Sequence, residues 1–266
     1  MFRSMLRRHF LLGTSGGALG VACAGDPSVP AGVAVPSPAR GQRIAAICFD
    51  LFTLFDPRSV IAAAETLVPG QGGKLCETWR TRQFEYSWLR AAGGRYEDFE
   101  AVTRAALSYA LRAHDLELNE AARSQLVATY SELDPWPDAR QRLEEFRSRD
   151  LLLAPLANYS PSMLSRLITR AKLSGYFKTL ISTDAAKTFK PDPRAYALGP
   201  QLLGLPRERI AFSAFGGWDA AGATWFGFPT FWVNRLNVTA ETLEPAPAGT
   251  GANLSDLSRF VYARVQ

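Results

Sequence analysis

The sequence predicts an α/β fold in which a parallel sheet carries an inserted bundle of helices. From residue 134 onward, short apolar runs alternate with helical patterns, which is typical of βαβ units with right-handed crossovers. Residues 59–133 instead hold four consecutive helical patterns with no strand between them, which indicates an inserted helical bundle. With 266 residues, 47% of them hydrophobic, the chain can bury a sizeable core.

The first 25 residues are set apart from the fold because they have the pattern of an export signal. A basic start containing Arg7-Arg8 precedes an apolar stretch that is too short to span a bilayer comfortably. The arginine pair resembles a twin-arginine signal and predicts export to the periplasm. Two processing routes stay open: cleavage after Ala24, or lipidation of Cys23, which alone would attach the protein to a membrane. Residues 26–42 are rich in Pro, Gly, Ala and Ser and predict a linker.

The first strand is predicted at residues 44–47, where four apolar residues follow a polar stretch. Such a run is typical of a strand that a parallel sheet buries on both faces. The helical patterns that follow cover residues 59–68, 75–92, 96–113 and 120–133. The helical insertion is therefore assigned to residues 58–133, and the sheet domain to residues 43–57 and 134–266.

The second half of the chain alternates between helices and strands. Strands are expected at residues 151–157, 179–182, 209–213 and 229–233. Helices are expected at residues 137–149, 160–172, 193–203 and 217–226. Ser160-Pro161 has the pattern of a helix N-cap followed by proline in the first turn. Residues 244–252 are rich in Pro, Gly and Ala and are expected to form a loop.

Four polar residues follow the predicted strands: Asp50, Asn158, Lys190 and Asp219. Because open α/β sheets bind ligands beyond the carboxyl ends of their strands, we expect these side chains to meet at one site. A carboxylate can act there as a covalent nucleophile if a neighbouring cation keeps it ionised. Asp50 is the candidate nucleophile and Lys190 the candidate cation, with Thr53 expected to hydrogen-bond the Asp50 carboxylate.

The composition argues against several other kinds of site. His114 is the only histidine outside the export signal, which argues against a catalytic triad and against a histidine-ligated metal. The three cysteines show neither metal-binding nor disulfide spacing. The formal net charge of +5 includes the arginines of the signal, and no run of Lys and Arg indicates nucleic acid. A small anionic molecule is therefore the expected ligand.

These motifs together resemble those of haloacid dehalogenase-like hydrolases, most closely the type II 2-haloacid dehalogenases. The likeness runs from residue 43 to about residue 236. Its main segments are Phe49-Asp50, Thr53-Leu54-Phe55-Asp56, Trp79-Arg80, Lys190-Pro191-Asp192 and Trp218-Asp219-Ala220. The resemblance implies a Rossmann-like core with a helical cap and no cofactor or metal, and it is compatible with a homodimer.

The resemblance also implies roles for individual residues. Asp50 would displace halide from C2 of a 2-haloacid, and water activated near Asp219 would hydrolyse the resulting ester. Arg80 would bind the substrate carboxylate or receive the leaving halide. The remaining catalytic residues would be Thr53, Asn158 and Lys190. Contacts to the substrate would come from Phe52, Arg80, Phe84, Phe99, Tyr196 and Trp218, whereas Tyr86 and Trp88 are expected in the core of the helical bundle.

A phosphatase is one alternative, because most members of the superfamily are Mg-dependent phosphohydrolases. Their pattern needs an aspartate two residues after the nucleophile, and this chain has Phe52 there. It also needs an acidic metal ligand near the last motif, where this chain has Phe215. A phenylalanine cannot ligate a hard cation, so both positions argue against phosphoryl transfer.

A binding or scaffold protein without catalytic activity is the other alternative. The dehalogenase pattern has Ser-Asn-Gly where this chain has Ala157-Asn158-Tyr159, and it has serine and asparagine where this chain has Ala214 and Gly216. Thr53 follows Asp50 by three residues, and the pattern usually has four. Loss of these polar groups removes hydrogen bonds that would position catalytic atoms.

Overall fold

The computed structural model describes residues 43–265, so the predicted export signal and linker lie outside the described residues. Within this range the strands are β1 (Ala46–Phe49), β2 (Leu152–Ala157), β3 (Ile181–Ser182), β4 (Ile210–Ala214), β5 (Thr230–Val233) and β6 (Gly249–Gly251). They form a six-stranded sheet in the order β3-β2-β1-β4-β5-β6, in which every neighbouring pair is parallel. The predicted α/β fold is confirmed.

The helices include a helical insertion between β1 and β2. Helix α1 covers Leu51–Leu54, and the insertion contains α2 (Ser59–Leu67), α3 (Gly72–Ala92), α4 (Phe99–Ala113) and α5 (Glu120–Thr129). The later helices are α6 (Ala139–Arg147), α7 (Pro161–Arg170), α8 (Pro193–Leu203), α9 (Gly217–Phe226) and α10 (Leu254–Tyr262). Residues 43–265 fall in one compact unit, and the division into a sheet domain and a separate cap stays a prediction.

Strand β1 is central because all four of its residues are fully buried and pair with both β2 and β4. Ile47 and Phe49 belong to one apolar cluster, and Ala46 and Cys48 to the other, as the alternation of side chains along a strand requires. Strands β2 and β3 are added on one side of β1, and β4, β5 and β6 on the other, so the strand order reverses at β1. Asp50 follows β1 at this reversal of strand order, which is where open α/β sheets bind ligands.

Helices cover both faces of the sheet. Buried side chains of α6, α7 and α10 pack into the cluster that contains Ile47, and those of α8 and α9 pack into the other cluster. Each buried Leu, Ile or Phe contributes about 1.5–3 kcal/mol relative to an exposed one. None of the helices in residues 43–265 is long and apolar enough to cross a membrane.

Two antiparallel segments connect the helical insertion to the sheet. Phe55 and Pro135 form an isolated bridge, the Asp56 amide donates to the Asp134 carbonyl at 2.9 Å, and the Trp136 amide donates to the Leu54 carbonyl at 2.9 Å. The start and the end of the insertion therefore lie side by side, directly after the segment that carries Asp50.

Inside the insertion, Trp79 is fully buried and joins neighbouring helices. Its indole N–H donates to the Thr103 carbonyl of α4 at 2.8 Å, and its ring packs edge-on against Tyr130 at 5.3 Å. A buried indole of this kind contributes both a large apolar surface and a satisfied polar group.

The first strand differs from its predicted position by two residues. The prediction placed it at residues 44–47, whereas β1 covers Ala46–Phe49. Ladder pairing begins at Ala46 because its partners Leu152 and Ile210 are the first residues of β2 and β4. Hydrophobicity alone cannot locate this start, because Ile44 is also buried before the strand begins.

The predicted loop at residues 244–252 is wrong in part, since it contains the edge strand β6. Glycine permits the close packing of this strand: a Cβ on Gly249 would lie 2.8 Å from the Phe231 ring, and one on Gly251 would lie 2.4 Å from the Asp256 Cβ. Glycines weaken strand propensity, so the local sequence favours a loop and the packing overrides it. Helix α10, which follows, was missed, although Leu254, Leu257 and Val261 have helical spacing.

Candidate active site

The four polar residues predicted to meet do lie together beyond the carboxyl ends of the strands. Asp50 follows β1, and its amide donates to the Ser213 carbonyl of β4 at 2.8 Å. Lys190 Nζ lies 2.6 Å from Asp50 Oδ1 and 2.7 Å from Asp219 Oδ2. The Lys190 amide donates to Asn158 Oδ1 at 2.9 Å. The predicted grouping of these residues is therefore confirmed.

Lys190 is a buried cation held between two carboxylates. Its side chain is 1% exposed, as is that of Asp219, whereas Asp50 is 14% exposed. Burial lowers the pKa of Lys190, but the charges and hydrogen bonds of Asp219 and Asp50 outweigh it, so the pKa lies above its ordinary value. The ammonium group therefore stays charged, and the three groups carry one net negative charge when both carboxyls are ionised.

Asp219 differs electrostatically from Asp50 because it is fully buried. Burial raises its pKa, the charge of Lys190 opposes that rise, and the nearby charge of Asp50 adds to it, so the pKa reaches about 6. Asp219 Oδ1 also accepts a hydrogen bond from the Tyr196 hydroxyl at 2.7 Å. A carboxyl with this pKa can take up and release a proton near neutral pH.

The prediction that Tyr196 contacts the substrate is wrong. Tyr196 is fully buried on α8, packs against the Phe212 and Phe228 rings, and does not line the site cavity. Its hydroxyl reaches Asp219 because Gly222 has no side chain, and a Cβ there would lie 2.7 Å from that oxygen. Tyr196 therefore positions the Asp219 carboxylate through a hydrogen bond and does not line the cavity.

The expected hydrogen bond from Thr53 to the Asp50 carboxylate is also absent. The Thr53 hydroxyl donates to the Asp50 main-chain carbonyl at 2.7 Å. Helix α1 begins directly after Asp50, which brings the side chain of the third following residue to the carbonyl rather than to the carboxylate. The amide of Phe52 bonds the carboxylate instead, donating to Asp50 Oδ2 at 3.2 Å.

Two side chains that sequence reasoning missed fix the segment after Asp50. The Trp136 indole donates to the Phe52 carbonyl at 3.0 Å. The Arg235 guanidinium donates to the Thr53 carbonyl at 3.0 and 2.9 Å and pairs with Asp138 at 2.8 Å. Their signal in the sequence is weak, since both residues lie far from Asp50 along the chain.

Beside Asp50 lies a cavity of about 30 Å³, which holds about two to three water molecules. Its predicted lining residues are Asp50, Phe52, Arg80, Phe84, Phe99, Asn158, Lys190 and Trp218. The additional lining residues are Leu51, Ala157, Tyr159, Phe215 and Gly216. The walls are mainly aromatic, so electrostatic interactions inside the cavity are stronger than in bulk water.

Arg80 lines this cavity and is positioned to bind an anionic ligand. Among residues 43–265 its guanidinium makes no ion pair with a carboxylate, and it lies 5.6 Å from the centre of the Phe84 ring. Asn158 has a similar free donor, because in the described part of the chain its amide nitrogen donates no hydrogen bond. A small anion could therefore be held by Arg80 and Asn158 next to Asp50.

An aromatic cluster closes one side of the cavity. Phe84 packs edge-on against Trp218 at 5.3 Å, and Trp88 packs against both rings. The prediction that Trp88 belongs to the bundle core is wrong, because it is 37% exposed at this contact between α3 and α9. Gly216 allows the Trp218 ring its position, since a Cβ there would lie 2.8 Å from the indole nitrogen.

The cavity offers few ligands for a metal ion. Within residues 43–265 no group of three or more His, Cys, Asp or Glu side chains could hold one. Phe52 and Phe215 line the cavity and pack against each other at 5.9 Å. Lys190 moreover occupies the position between Asp50 and Asp219, where its charge would repel a cation.

Comparison with known proteins points to one family. A family model described as haloacid dehalogenase-like hydrolase matches residues 44–227. The (S)-2-haloacid dehalogenase of Xanthobacter autotrophicus is 43% identical over 198 residues, which are 74% of this chain and 78% of that protein. An (S)-2-haloacid dehalogenase of Pseudomonas putida is 35% identical over 221 residues, which are 83% of this chain and 97% of that protein.

A solved structure agrees with this likeness. The L-2-haloacid dehalogenase of Xanthobacter autotrophicus with chloropropionic acid covalently bound superposes with a TM-score of 0.78 at 38% identity. The match covers 82% of this chain and 98% of that chain. Both the sheet and the helical insertion therefore have a counterpart of known structure.

Proposed function

Because the chain belongs to the haloacid dehalogenase-like hydrolase family, we propose that it hydrolyses the carbon–halide bond of a small 2-haloacid through an ester on Asp50. The observation that carries the proposal is Lys190, which bridges Asp50 and Asp219 at 2.6 and 2.7 Å. That bridge lies beside a small aromatic cavity in which Arg80 is a cation without a carboxylate partner among the described residues.

The first step is displacement at carbon. A carboxylate oxygen of Asp50 attacks C2 of the substrate, a C–O bond forms, and halide leaves with the electron pair of the C–halide bond. Lys190 favours the ionised form of Asp50 and fixes its direction. Arg80 binds the substrate carboxylate or receives the halide, since a guanidinium stays charged and has several donors. Halide needs no general acid, which agrees with Phe52 at the position where a phosphatase has one.

The second step is hydrolysis of the ester. Asp219 takes a proton from water, the hydroxide attacks Cγ of Asp50, and the bond breaks between Cγ and the former Asp50 oxygen that is now attached to C2. The leaving alkoxide takes the proton from Asp219 and departs as a 2-hydroxy acid, while the new carboxyl of Asp50 loses its proton to solvent and is again a carboxylate. The charge of Asp50 is one cause of the raised pKa of Asp219 and is absent from the ester, so at this step the pKa lies below about 6 and Asp219 is ionised at neutral pH, as a general base must be.

Halide release tests this proposal. Purified protein is incubated with chloroacetate or (S)-2-chloropropionate without added metal, and free chloride is measured over time. We expect steady release by the wild type and none by Asp50→Asn, whose amide is a poor nucleophile. If neither substrate releases chloride and no mass is added to Asp50, the chain is not a 2-haloacid dehalogenase.

A binding or scaffold role is the second candidate, and Ala214 and Gly216 favour it. Neither residue has a polar side chain that could position Lys190 or water. In this case the protein would bind a small carboxylate without releasing chloride, and Asp50→Asn would bind it equally well. Isothermal titration with chloroacetate, glycolate and chloride separates this outcome from catalysis. The phosphatase alternative is disfavoured by Phe52 and Phe215 and predicts Mg-dependent cleavage of a phosphate ester.

A further inference from the structure

Tyr159 occupies a position from which it limits the size of the substrate. It follows Asn158 at the end of β2, is 2% exposed, and lines the cavity beside Asp50. Its ring stacks on Phe99 at 5.2 Å and packs edge-on against Phe52 at 6.2 Å. The ring therefore fills space next to the candidate nucleophile rather than lying against solvent.

Hydrogen bonds fix Tyr159 at both of its ends. The hydroxyl donates to the Tyr130 carbonyl of the helical insertion at 3.0 Å. The main-chain carbonyl accepts from the Ser182 hydroxyl of β3 at 2.6 Å. Moving the ring out of the cavity would break the first bond and leave a buried hydroxyl unpaired, which is unfavourable.

The part of the cavity wall formed by Phe84 and Trp218 is less constrained. Phe84 and Trp218 are only partly buried, and they pack against the exposed Trp88. No hydrogen bond restrains a phenylalanine ring, so this side can yield when a ligand enters. The Tyr159 ring is therefore the part of the cavity wall that sets a fixed limit on the size of a ligand.

We infer that this site takes the two-carbon haloacids and that Tyr159 is the residue that excludes larger groups at C2. The inference rests on the proposed function. Displacement at carbon requires the attacking Asp50 oxygen, C2 and the halide to lie on one line. The carboxylate of the substrate points toward a cation. Any further substituent on C2 must point at a remaining wall, and the Tyr159 ring is the part of that wall that hydrogen bonds hold in place. In a haloacetate that substituent is a hydrogen.

The selectivity of the wild type tests the inference directly. We measure kcat/KM for chloroacetate, (S)-2-chloropropionate and (S)-2-chlorobutyrate by chloride release. Since one methylene changes discrimination by about 10–200-fold in a tight apolar pocket, we expect chloroacetate to exceed 2-chlorobutyrate by at least about 10-fold. Equal values for the two substrates would overturn the inference and leave the proposed function intact. Absence of chloride release from all three would overturn both.

Two variants assign the selectivity to Tyr159. Tyr159→Gly removes the ring, and we expect the ratio of kcat/KM for chloroacetate to that for 2-chlorobutyrate to fall by at least about 10-fold. Tyr159→Phe keeps the ring and loses only the hydrogen bond, so its ratio should stay close to that of the wild type. A purely structural role would change the rates for all substrates together and leave the ratio unmoved. An unchanged ratio in Tyr159→Gly, or a collapsed ratio in Tyr159→Phe, would contradict the assignment.

Discussion

At the scale of single residues, the proposed chemistry depends on Lys190 and its two partners. A lysine that is 1% exposed is stable as a cation only because Asp50 and Asp219 contact it. The strand pattern of the sequence predicts this grouping, since each residue follows a strand. It does not predict where Thr53 and Tyr196 point, because side-chain direction depends on the start of α1 and on packing of α8 behind Asp219.

Replacement of Lys190 by methionine tests the central ion pair. The fully buried Asp219 carboxylate and the partly buried Asp50 carboxylate then lose their counter-charge, and breaking such a pair costs about 3–5 kcal/mol of unfolding free energy. We expect a loss of this size in urea titrations at pH 8, together with loss of chloride release. Lys187→Met is the matched control, because that side chain is 66% exposed and lies three residues away. This change removes only an exposed ion pair with Asp184, so it should shift the unfolding free energy by about 1 kcal/mol or less.

The pH dependence of ester hydrolysis tests the role of Asp219. Its pKa is raised from 3.8 to about 6, and a general base must be ionised. In the ester Asp50 has lost the charge that contributes to this rise, so we expect the single-turnover hydrolysis rate to fall at a pH below about 6, measured by quenched-flow detection of the 2-hydroxy acid. A rate that stays constant from pH 7 to pH 4 would exclude Asp219 as the base.

The same shift makes a prediction about stability. Because the pKa of Asp219 is higher in the folded chain, the native state binds more protons than the unfolded chain between pH 3.8 and about 6. The stability contributed by this group is therefore present below that window and lost as the pH rises through it. Asp219→Asn removes this dependence, so the difference in unfolding free energy between wild type and variant should change between pH 4 and 7. A constant difference would contradict the assigned pKa.

At the scale of elements, the segment that carries Asp50 is held by parts of the chain that are distant in sequence. Trp136 follows the helical insertion, and Arg235 follows β5, yet both bond carbonyls of α1. Periodicity predicts helices and strands well where one face is buried throughout. It cannot predict these contacts, because they join a loop to main-chain atoms and leave no pattern in the sequence.

Arg235→Lys tests whether this support positions the nucleophile. The guanidinium donates two hydrogen bonds to the Thr53 carbonyl and pairs with Asp138, and an ammonium group cannot reproduce that fork. We expect kcat for chloride release to fall by about 10-fold or more, since small misplacements of reacting groups are costly, with a smaller change in KM. Arg207→Lys is the control, because Arg207 also bonds a main-chain carbonyl, that of Phe226, away from the cavity. Equal kcat values for the two variants would show that Arg235 serves stability alone.

At the scale of the whole molecule, the alternation of strands and helices was sufficient to predict the parallel sheet and the place of the insertion. The edge of the sheet was not predictable, because the glycines of β6 favour a loop and the strand depends on the close fit of Gly249 against Phe231 and Phe260 and of Gly251 against Asp256. The family resemblance extends across both parts of the fold, which agrees with the match over residues 44–227.

Export of the protein stays a prediction, since it depends on residues outside the described range. We propose that replacing Arg7-Arg8 with two lysines retains the protein in the cytoplasm, because a twin-arginine signal is read through both arginines. Fractionation of cells followed by immunoblotting measures the distribution. Arg3→Lys is the control and should leave export unchanged. Equal export of both variants would contradict a twin-arginine signal.

The origin of the oxygen in the product tests the covalent role of Asp50 most directly. Excess enzyme is allowed a single turnover of chloroacetate in water labelled with heavy oxygen, and both product and protein are analysed by mass spectrometry. If water attacks Cγ of an Asp50 ester, the glycolate hydroxyl carries ordinary oxygen and the label appears in the peptide that contains Asp50. Label in the glycolate hydroxyl, with none in that peptide, would show direct attack of water on the substrate and would contradict the account.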